Sequence, residues 1–271
     1  MNLKFQCRFC ILLILGGLLA SSVAPAQSAG DKKATLNRAI QAQYGLRHEG
    51  LVEFQCVILP NWRSLLAQSV KDPKVMESTV KTLTPLRFSL FMGADDKVKI
   101  THNEVTTEND QVAKGLAQIY GGMEQMISGF FDTWSLFVLR SPFPDVNSAY
   151  DLKLAAGQYG LSYKEGSNDD VTTTMSQDFV ISSVKVVTSE FESVIAPKYD
   201  KTPKGLLMTA YEATYNSKVP GEATQLKVEI AYQDVENLKL PQKLNLSGTY
   251  GGQPFQVEVT FSECSAKKSG K

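Results

Sequence analysis

The spacing of apolar residues predicts helices in the first half of the chain and strands in the second. Residues 33–44 carry apolar side chains three and four positions apart, as an amphipathic helix does, and Gly45 supplies its end. Residues 51–59 alternate between apolar and polar side chains, with Cys56 on the apolar side, and Pro60 follows. This alternation predicts a half-buried strand, so the first two elements are a helix and a strand with one face to bury.

Short helices and a hairpin are expected next. Residues 61–83 predict one or two short helices, interrupted at Asp72-Pro73. Alternating segments on either side of a turn at 93–96 predict a hairpin over 86–100. The run 107–110 resembles a capping box, which predicts that a long helix begins there.

From Ala149 onward the apolar period becomes strand-like and stays so. Strands are predicted at 149–155, 158–164, 171–176, 179–188, 205–215, 225–233, 242–250 and 254–262. Short turns between successive strands predict an antiparallel meander, whose apolar face needs a cover. Residues 179–187 and 205–211 are apolar at consecutive positions, which predicts two strands buried on both faces.

The most apolar segment after the N-terminal region is 122–139. Glu124, Asp132 and Arg140 argue against a membrane span, because charged side chains are costly in lipid. The apolar residues of the segment recur with helical spacing on one side: Met123, Met126, Ile127, Phe130, Phe131, Trp134, Phe137 and Val138. This pattern predicts an amphipathic helix that lies on the open face of the sheet.

Two interpretations of this helix stay open at the level of sequence. The helix is either plain core or the lining of a cavity for a greasy ligand, since methionine and aromatic side chains adapt to acyl chains. The candidate lining residues are Met126, Ile127, Phe130, Phe131, Trp134 and Phe137.

Residues 1–26 have the three parts of a secretory signal peptide. Lys4 and Arg8 precede a short apolar run at 11–19, and Ala24-Pro25-Ala26 forms a cleavage site of small residues. The apolar run is shorter than the roughly 20 residues that a membrane span needs. The sequence therefore predicts export to the periplasm or the medium, with no transmembrane anchor after cleavage.

Removal of the signal peptide leaves two of the four cysteines, Cys56 and Cys264. In an oxidising compartment these two residues are expected to form a disulfide, which would bring the first and last strands together and nearly close the sheet. Two independent buried thiols are the alternative.

Charge and motifs exclude several classes of protein. The sequence has 28 basic and 28 acidic residues, and this balance gives no reason to expect nucleic acid as a partner. His48 and His102 are its only histidines, and they have no metal-ligand spacing. No nucleophile elbow, phosphate-binding glycine loop or mature C-x-x-C motif occurs. We therefore expect no enzyme, metal or cofactor. A hydrolase whose site is assembled from residues scattered along the chain is the alternative.

The order of these elements resembles the periplasmic outer-membrane-lipoprotein carrier (Lol-type) family. The resemblance spans about residues 32–264 and includes Leu240-Pro241 before a late strand, but it carries no ligand-contact residue across. It implies an α+β fold in which a strongly curved antiparallel sheet, an incomplete barrel, is covered by helices and holds acyl chains. The long two-faced helix and the cysteine pair are not expected of the carrier itself and indicate a divergent relative.

The sequence thus predicts one domain over 27–264 and a flexible tail at 265–271. The expected function is a monomeric, non-catalytic binding protein that carries or senses a lipid or the acyl chains of a lipidated protein. The alternative is an exported structural or envelope-assembly protein whose core is filled and which has no ligand.

Overall fold

A computed structural model describes residues 29–166, 169–218, 223–250 and 252–270. The predicted signal peptide at 1–26 and the last tail residue, Lys271, lie outside the described residues. None of the helices in these ranges has the length and hydropathy that are needed to span a bilayer.

The described residues form four α-helices and one π-helical segment, mostly in the first half of the chain. They are α1 (Ala29–Ala42), α2 (Trp62–Leu66), α3 (Pro73–Leu83), α4 (Asp110–Trp134) and the π-helical segment (Ser135–Leu139). Asp72 caps α3 by accepting hydrogen bonds from the amides of Lys74 and Val75, and Asn109 caps α4 in the same way. The predicted helix starts at both places are therefore confirmed.

Twelve strands are present in the described residues. They are β1 (Leu51–Pro60), β2 (Phe88–Met92), β3 (Val98–His102), β4 (Tyr150–Ala155), β5 (Gln158–Glu165), β6 (Asp169–Ser176), β7 (Ile181–Val187), β8 (Phe191–Thr202), β9 (Gly205–Ser217), β10 (Ala223–Val235), β11 (Leu238–Tyr250) and β12 (Gln253–Lys268). The predicted hairpin forms β2 and β3, and the predicted meander forms β4 to β12.

All strands belong to one antiparallel sheet with the order β3-β2-β1-β12-β11-β10-β9-β8-β7-β6-β5-β4. The first and last strands, β1 and β12, do pair as the cysteines suggested. That pairing does not nearly close a barrel, however, because β2 and β3 continue the sheet beyond β1 and leave β3 and β4 as its free edges. It joins the N-terminal hairpin to the end of the meander.

The predicted disulfide between Cys56 and Cys264 is present, and its Cα atoms are 4.1 Å apart. The register between β1 and β12 shifts between Gln55 and Val57, and Glu263 has a positive φ of 51° on the opposite strand. This is the geometry of a β-bulge, in which two residues of one strand oppose one residue of the other. The bridge thus links neighbouring strands at the point where their ladder is interrupted.

The sequence interpretation missed strand β8. Its buried face includes Ser193 and Pro197 beside Ile195, so the apolar alternation is broken. Pro197 is tolerated because the ladder from β8 to β7 ends at Ile195, while the pairing with β9 continues past the proline.

The prediction of two strands buried on both faces is correct for only one of them. The first residues of β9, Leu206 to Met208, are consecutive and buried. The segment that follows α1 contacts the strand there, since the Tyr44 amide donates to the Leu206 carbonyl. Strand β7 buries Ile181 and Val184 fully, whereas Ser182 between them is exposed.

Helix α1 packs over the β4 end of the sheet. Lys32 forms an ion pair with Asp151 of β4, and Arg38 lies over the ring of Phe179 at 5.7 Å from its centre. The buried Gln43 donates its side-chain amide to the Phe179 carbonyl at 2.8 Å. These contacts fix α1 across β4 to β9.

The segment 265–271, predicted to be a flexible tail, is instead paired with the sheet as far as Lys268. Lys268 lies opposite Leu51, and Ser265 lies opposite Gln55. Strand β12 therefore runs on past the disulfide and shields the beginning of β1.

Candidate functional site

A groove with a volume of about 1150 Å³ lies between helix α4 and the sheet strands β7 to β12. Leu65 of α2 contributes from outside these elements. The helical wall consists of Gly115, Gln118, Ile119, Gly122, Met123, Gln125, Met126, Gly129, Phe130, Asp132, Thr133 and, in the π-helical segment, Leu136. The sheet wall consists of Val186, Phe191, Ser193, Ile195, Tyr211, Tyr215, Thr224, Leu226, Leu246, Phe255 and Val257.

Glycines make the helical wall concave. Gly115, Gly122 and Gly129 are seven residues apart, so they lie above one another on one face of α4. A Cβ atom added to any of the three would meet no other atom within 4 Å. The glycines are therefore not required by close packing, and the space above them is the groove itself.

The six candidate residues from the sequence divide into two groups. Met126 and Phe130 line the groove. Ile127, Phe131, Trp134 and Phe137 are fully buried and do not line it. Two of the six candidate residues therefore belong to the helical wall of the groove, and the other four belong to the hydrophobic core.

The four core residues attach α4 to the sheet. The Phe131 ring lies 5.8 Å from that of Phe261 on β12, and the Trp134 ring lies 6.1 Å from that of Phe54 on β1. Edge-to-face aromatic pairs at such distances stabilise packing beyond the burial of their area. The groove beside them is consequently bounded by a helix whose other side is firmly held.

A hydrogen-bond chain fixes the end of α4. Trp134 Nε1 donates to the Tyr232 hydroxyl at 3.1 Å, and that hydroxyl donates to the Met208 carbonyl at 2.6 Å. The buried indole and phenol are thus both satisfied, as buried polar groups need to be.

The π-helical segment places the chain after Trp134 against the loop that follows α1. The Arg140 amide donates to the Ser135 carbonyl, and the carbonyls of Val138 and Leu139 accept from the amides of Leu46 and Arg47. Ser135 is buried here. The wider π turn rotates the segment so that Phe137, Val138 and Leu139 are all buried.

One polar pair projects into the groove from opposite walls. Thr133 Oγ1 of α4 and the Tyr215 hydroxyl of β9 are 3.3 Å apart. Burial raises the pKa of Tyr215, the Thr133 hydrogen bond opposes this rise, and the negative charge of Asp132 adds to it. Burial also raises the pKa of the neighbouring Tyr211. Both phenols are therefore held neutral.

The other chemically interesting side chains have structural surroundings. His48 is exposed, and the His102 ring stacks on Tyr120 at 3.8 Å. Asp96 in the hairpin turn pairs with Arg47, which also donates to the carbonyls of Leu51 and Gly93. Within the described residues, histidine, cysteine and acidic side chains form no group that could hold a metal ion.

Comparison with protein-family models, curated proteins and solved structures gave no match for this chain. The groove therefore has to be interpreted from its own geometry and chemistry.

Sequence reasoning missed the glycine face and the sheet wall of the groove. The large apolar side chains of 122–139 indicated a site for an apolar ligand, whereas the helical wall is shaped by glycines, which have no side chain. The seven-residue spacing of Gly115, Gly122 and Gly129 was the available signal, because three glycines on one face of a long helix are costly and need a reason.

Proposed function

We propose that the protein is a non-catalytic binding protein that holds the acyl chain of a lipid or a lipidated protein in the groove between α4 and the sheet. The single observation that carries this proposal is the groove, which has a volume of about 1150 Å³ and mostly apolar walls. Ligand sites typically have volumes of roughly 300–1,000 Å³ and apolar walls with a few placed polar groups. The groove has this character, with the Thr133–Tyr215 pair as its polar feature.

The glycine face supports a binding role over a structural one. Glycine inside a helix is less favourable than alanine by about 1 kcal/mol per residue. If α4 were only a core helix, larger residues at 115, 122 and 129 would stabilise it and fill the space above them. An acyl chain bound in that space explains why glycines, rather than larger residues, occupy these three positions.

The proposal includes the finer features that the sequence resemblance implied. In it, the sheet curves around the ligand, α4 serves as its lid, and the protein is a divergent relative of the lipoprotein carriers that acts in the periplasm or the medium. The disulfide supports such a location because disulfides persist in oxidising compartments.

The alternative is an exported structural or envelope-assembly protein without a ligand. The fully buried Ile127, Phe131, Trp134 and Phe137 favour it, since four of the six candidate residues are ordinary core. The two functions differ in whether the groove is occupied.

A pair of glycine variants tests the proposal. Gly122→Leu places a side chain in the groove, whereas Gly121→Leu places the same side chain outside it, on the same helix and equally free of clashes. Both changes improve helix propensity, so stability does not separate them. We expect the neutral fluorophore N-phenylnaphthylamine to bind the wild-type chain and Gly121→Leu, and to bind Gly122→Leu at least about tenfold more weakly, a loss of about 1.4 kcal/mol.

Equal binding by both variants would show that the fluorophore occupies another surface. Binding by neither variant nor the wild-type chain would favour the structural alternative.

A further inference from the structure

The charge of the groove restricts the kind of lipid head that it can accept. Among the described residues that line it, Asp132 is the only acidic side chain, and no lysine, arginine or histidine is present. Asp132 is exposed at the rim, beside the Thr133–Tyr215 pair. A negatively charged ligand would therefore meet a like charge and no counter-ion within the walls.

The basic residues beside the lining on α4 and β7 do not line the groove either. Lys114 is the one basic residue of α4, and it does not line the groove. On the facing sheet, Lys185 neighbours Val186 but projects from the opposite side of the strand, where it pairs with Glu192 at 2.9 Å. Lys114 lies about 27 Å along α4 from Asp132 and the polar pair, and Lys185 is directed away from the ligand space.

Two tyrosines of the sheet wall also indicate that this surface disfavours a negative charge. Burial raises the pKa of Tyr211 and of Tyr215, so this wall disfavours a negative charge on its own side chains. A carboxylate or phosphate placed there would lose hydration for the same reason and gain no ionic partner.

The polar pair offers hydrogen bonds that suit an uncharged head. The hydroxyls of Thr133 and Tyr215 can each donate and accept, and they face each other across the groove. An ester carbonyl or a glycerol hydroxyl can bond to such a pair without any change of charge.

We infer that the groove selects acyl chains carried on an uncharged glycerol-ester head and discriminates against free fatty acids and anionic phospholipids. This inference rests on the proposed function and names the ligand class of the same site.

Competition among three lipids with one common chain tests the inference. The experiment measures how well monomyristoylglycerol, myristate and myristoyl lysophosphatidylglycerol displace N-phenylnaphthylamine from the wild-type chain. Neutral pH and low ionic strength are used, since electrostatic effects are largest there. We expect the two anions to compete about tenfold less well than the neutral glyceride, since like charge and lost hydration both oppose them.

Two charge-removing variants locate the source of this discrimination. Asp132→Asn should strengthen the competition by both anions and leave that of monomyristoylglycerol unchanged. Glu124→Gln removes an equal charge from an exposed position of the same helix outside the groove, so it should change none of the three.

Competition by the anions that equals or exceeds that of the glyceride would overturn the inference but not the proposed acyl-binding function. Asp132→Asn binding the anions no more tightly than the wild-type chain does would have the same consequence. Failure of all three lipids to displace the fluorophore would overturn the proposed function and the inference together.

Discussion

Tyr232 and Tyr199 are tyrosines whose hydroxyls are both buried but differently satisfied. The Tyr232 hydroxyl accepts from Trp134 Nε1 and donates to the Met208 carbonyl. The Tyr199 hydroxyl has no hydrogen-bond partner within the described residues. A buried hydroxyl stabilises the fold only when its hydrogen bonds are made, so the two residues should respond oppositely to loss of that group.

Tyr232→Phe should lower the free energy of unfolding by about 1–3 kcal/mol, because it leaves the buried indole of Trp134 without an acceptor. Tyr199→Phe should leave it unchanged or raise it by about 1 kcal/mol, because an unsatisfied polar group is removed. Urea unfolding with the disulfide intact measures both values. A larger loss in Tyr199→Phe than in Tyr232→Phe would contradict the hydrogen bonding described for α4.

One glycine of α4 and one of the sheet differ in whether their position tolerates a side chain. Gly121 lies in the exposed middle of a 25-residue helix, where an added Cβ meets nothing. Gly248 lies in β11, opposite Leu226, and an added Cβ would overlap the carbonyl oxygen of Gln225 on β10. Gly121 can therefore accept a side chain, whereas Gly248 is required by the close approach of two strands.

Gly121→Ala should raise the free energy of unfolding by about 0.5–1 kcal/mol through helix propensity. Gly248→Ala should lower it by about 1–3 kcal/mol, because overpacking forces the two strands apart. Denaturant titration of both variants measures the free energy of unfolding. A lower value for Gly121→Ala than for the wild-type chain would mean that α4 tolerates no added side chain outside the groove.

The elements with regular apolar periods could be predicted from sequence. The caps at Asp72 and Asn109, the hairpin and most of the meander follow from local rules that need no tertiary information. Strand β8 could not be found in this way, since Ser193 and Pro197 occupy its buried face and are tolerated only because of the neighbouring strands. Local propensity is overridden there by tertiary context.

The candidate site was only partly predictable for a similar reason. Met126 and Phe130 belong to an apolar stripe that the sequence reveals, but so do Ile127 and Phe131, which are core. Which member of a stripe faces a groove and which faces the sheet depends on how the helix is rotated. That rotation is fixed by contacts with Phe54 and Phe261, which are distant in sequence.

The disulfide joins the two parts of the sheet. Cys56 and Cys264 are 208 residues apart, and the strands that they link unite the N-terminal hairpin with the nine-strand meander. In the chain-entropy model, a cross-link over so long a loop stabilises mainly by restricting the unfolded chain.

Replacement of both cysteines by alanine should lower the free energy of unfolding by about 2–4 kcal/mol, with the sheet still formed. Circular dichroism checks the sheet, and urea unfolding measures the loss. Reducing agent should destabilise the wild-type chain by a similar amount and leave the double variant unaffected. An unchanged free energy of unfolding would contradict the bridge.

The occupancy of the groove is what the proposed function depends on. An acyl lipid would fill the space above Gly115, Gly122 and Gly129, hold the Thr133–Tyr215 pair in a dry environment, and complete the cover of the sheet. An empty groove would leave a large apolar surface exposed to water, as happens in few monomeric proteins without a function for it.

Native mass spectrometry of the protein isolated from its own host tests this occupancy most directly. We expect the wild-type chain to carry extra mass that organic solvent removes and that fragments as an uncharged acyl lipid, and Gly122→Leu to carry none while Gly121→Leu retains it. A wild-type chain that is repeatedly found at the mass of the bare polypeptide would contradict the proposal that this groove holds a lipid.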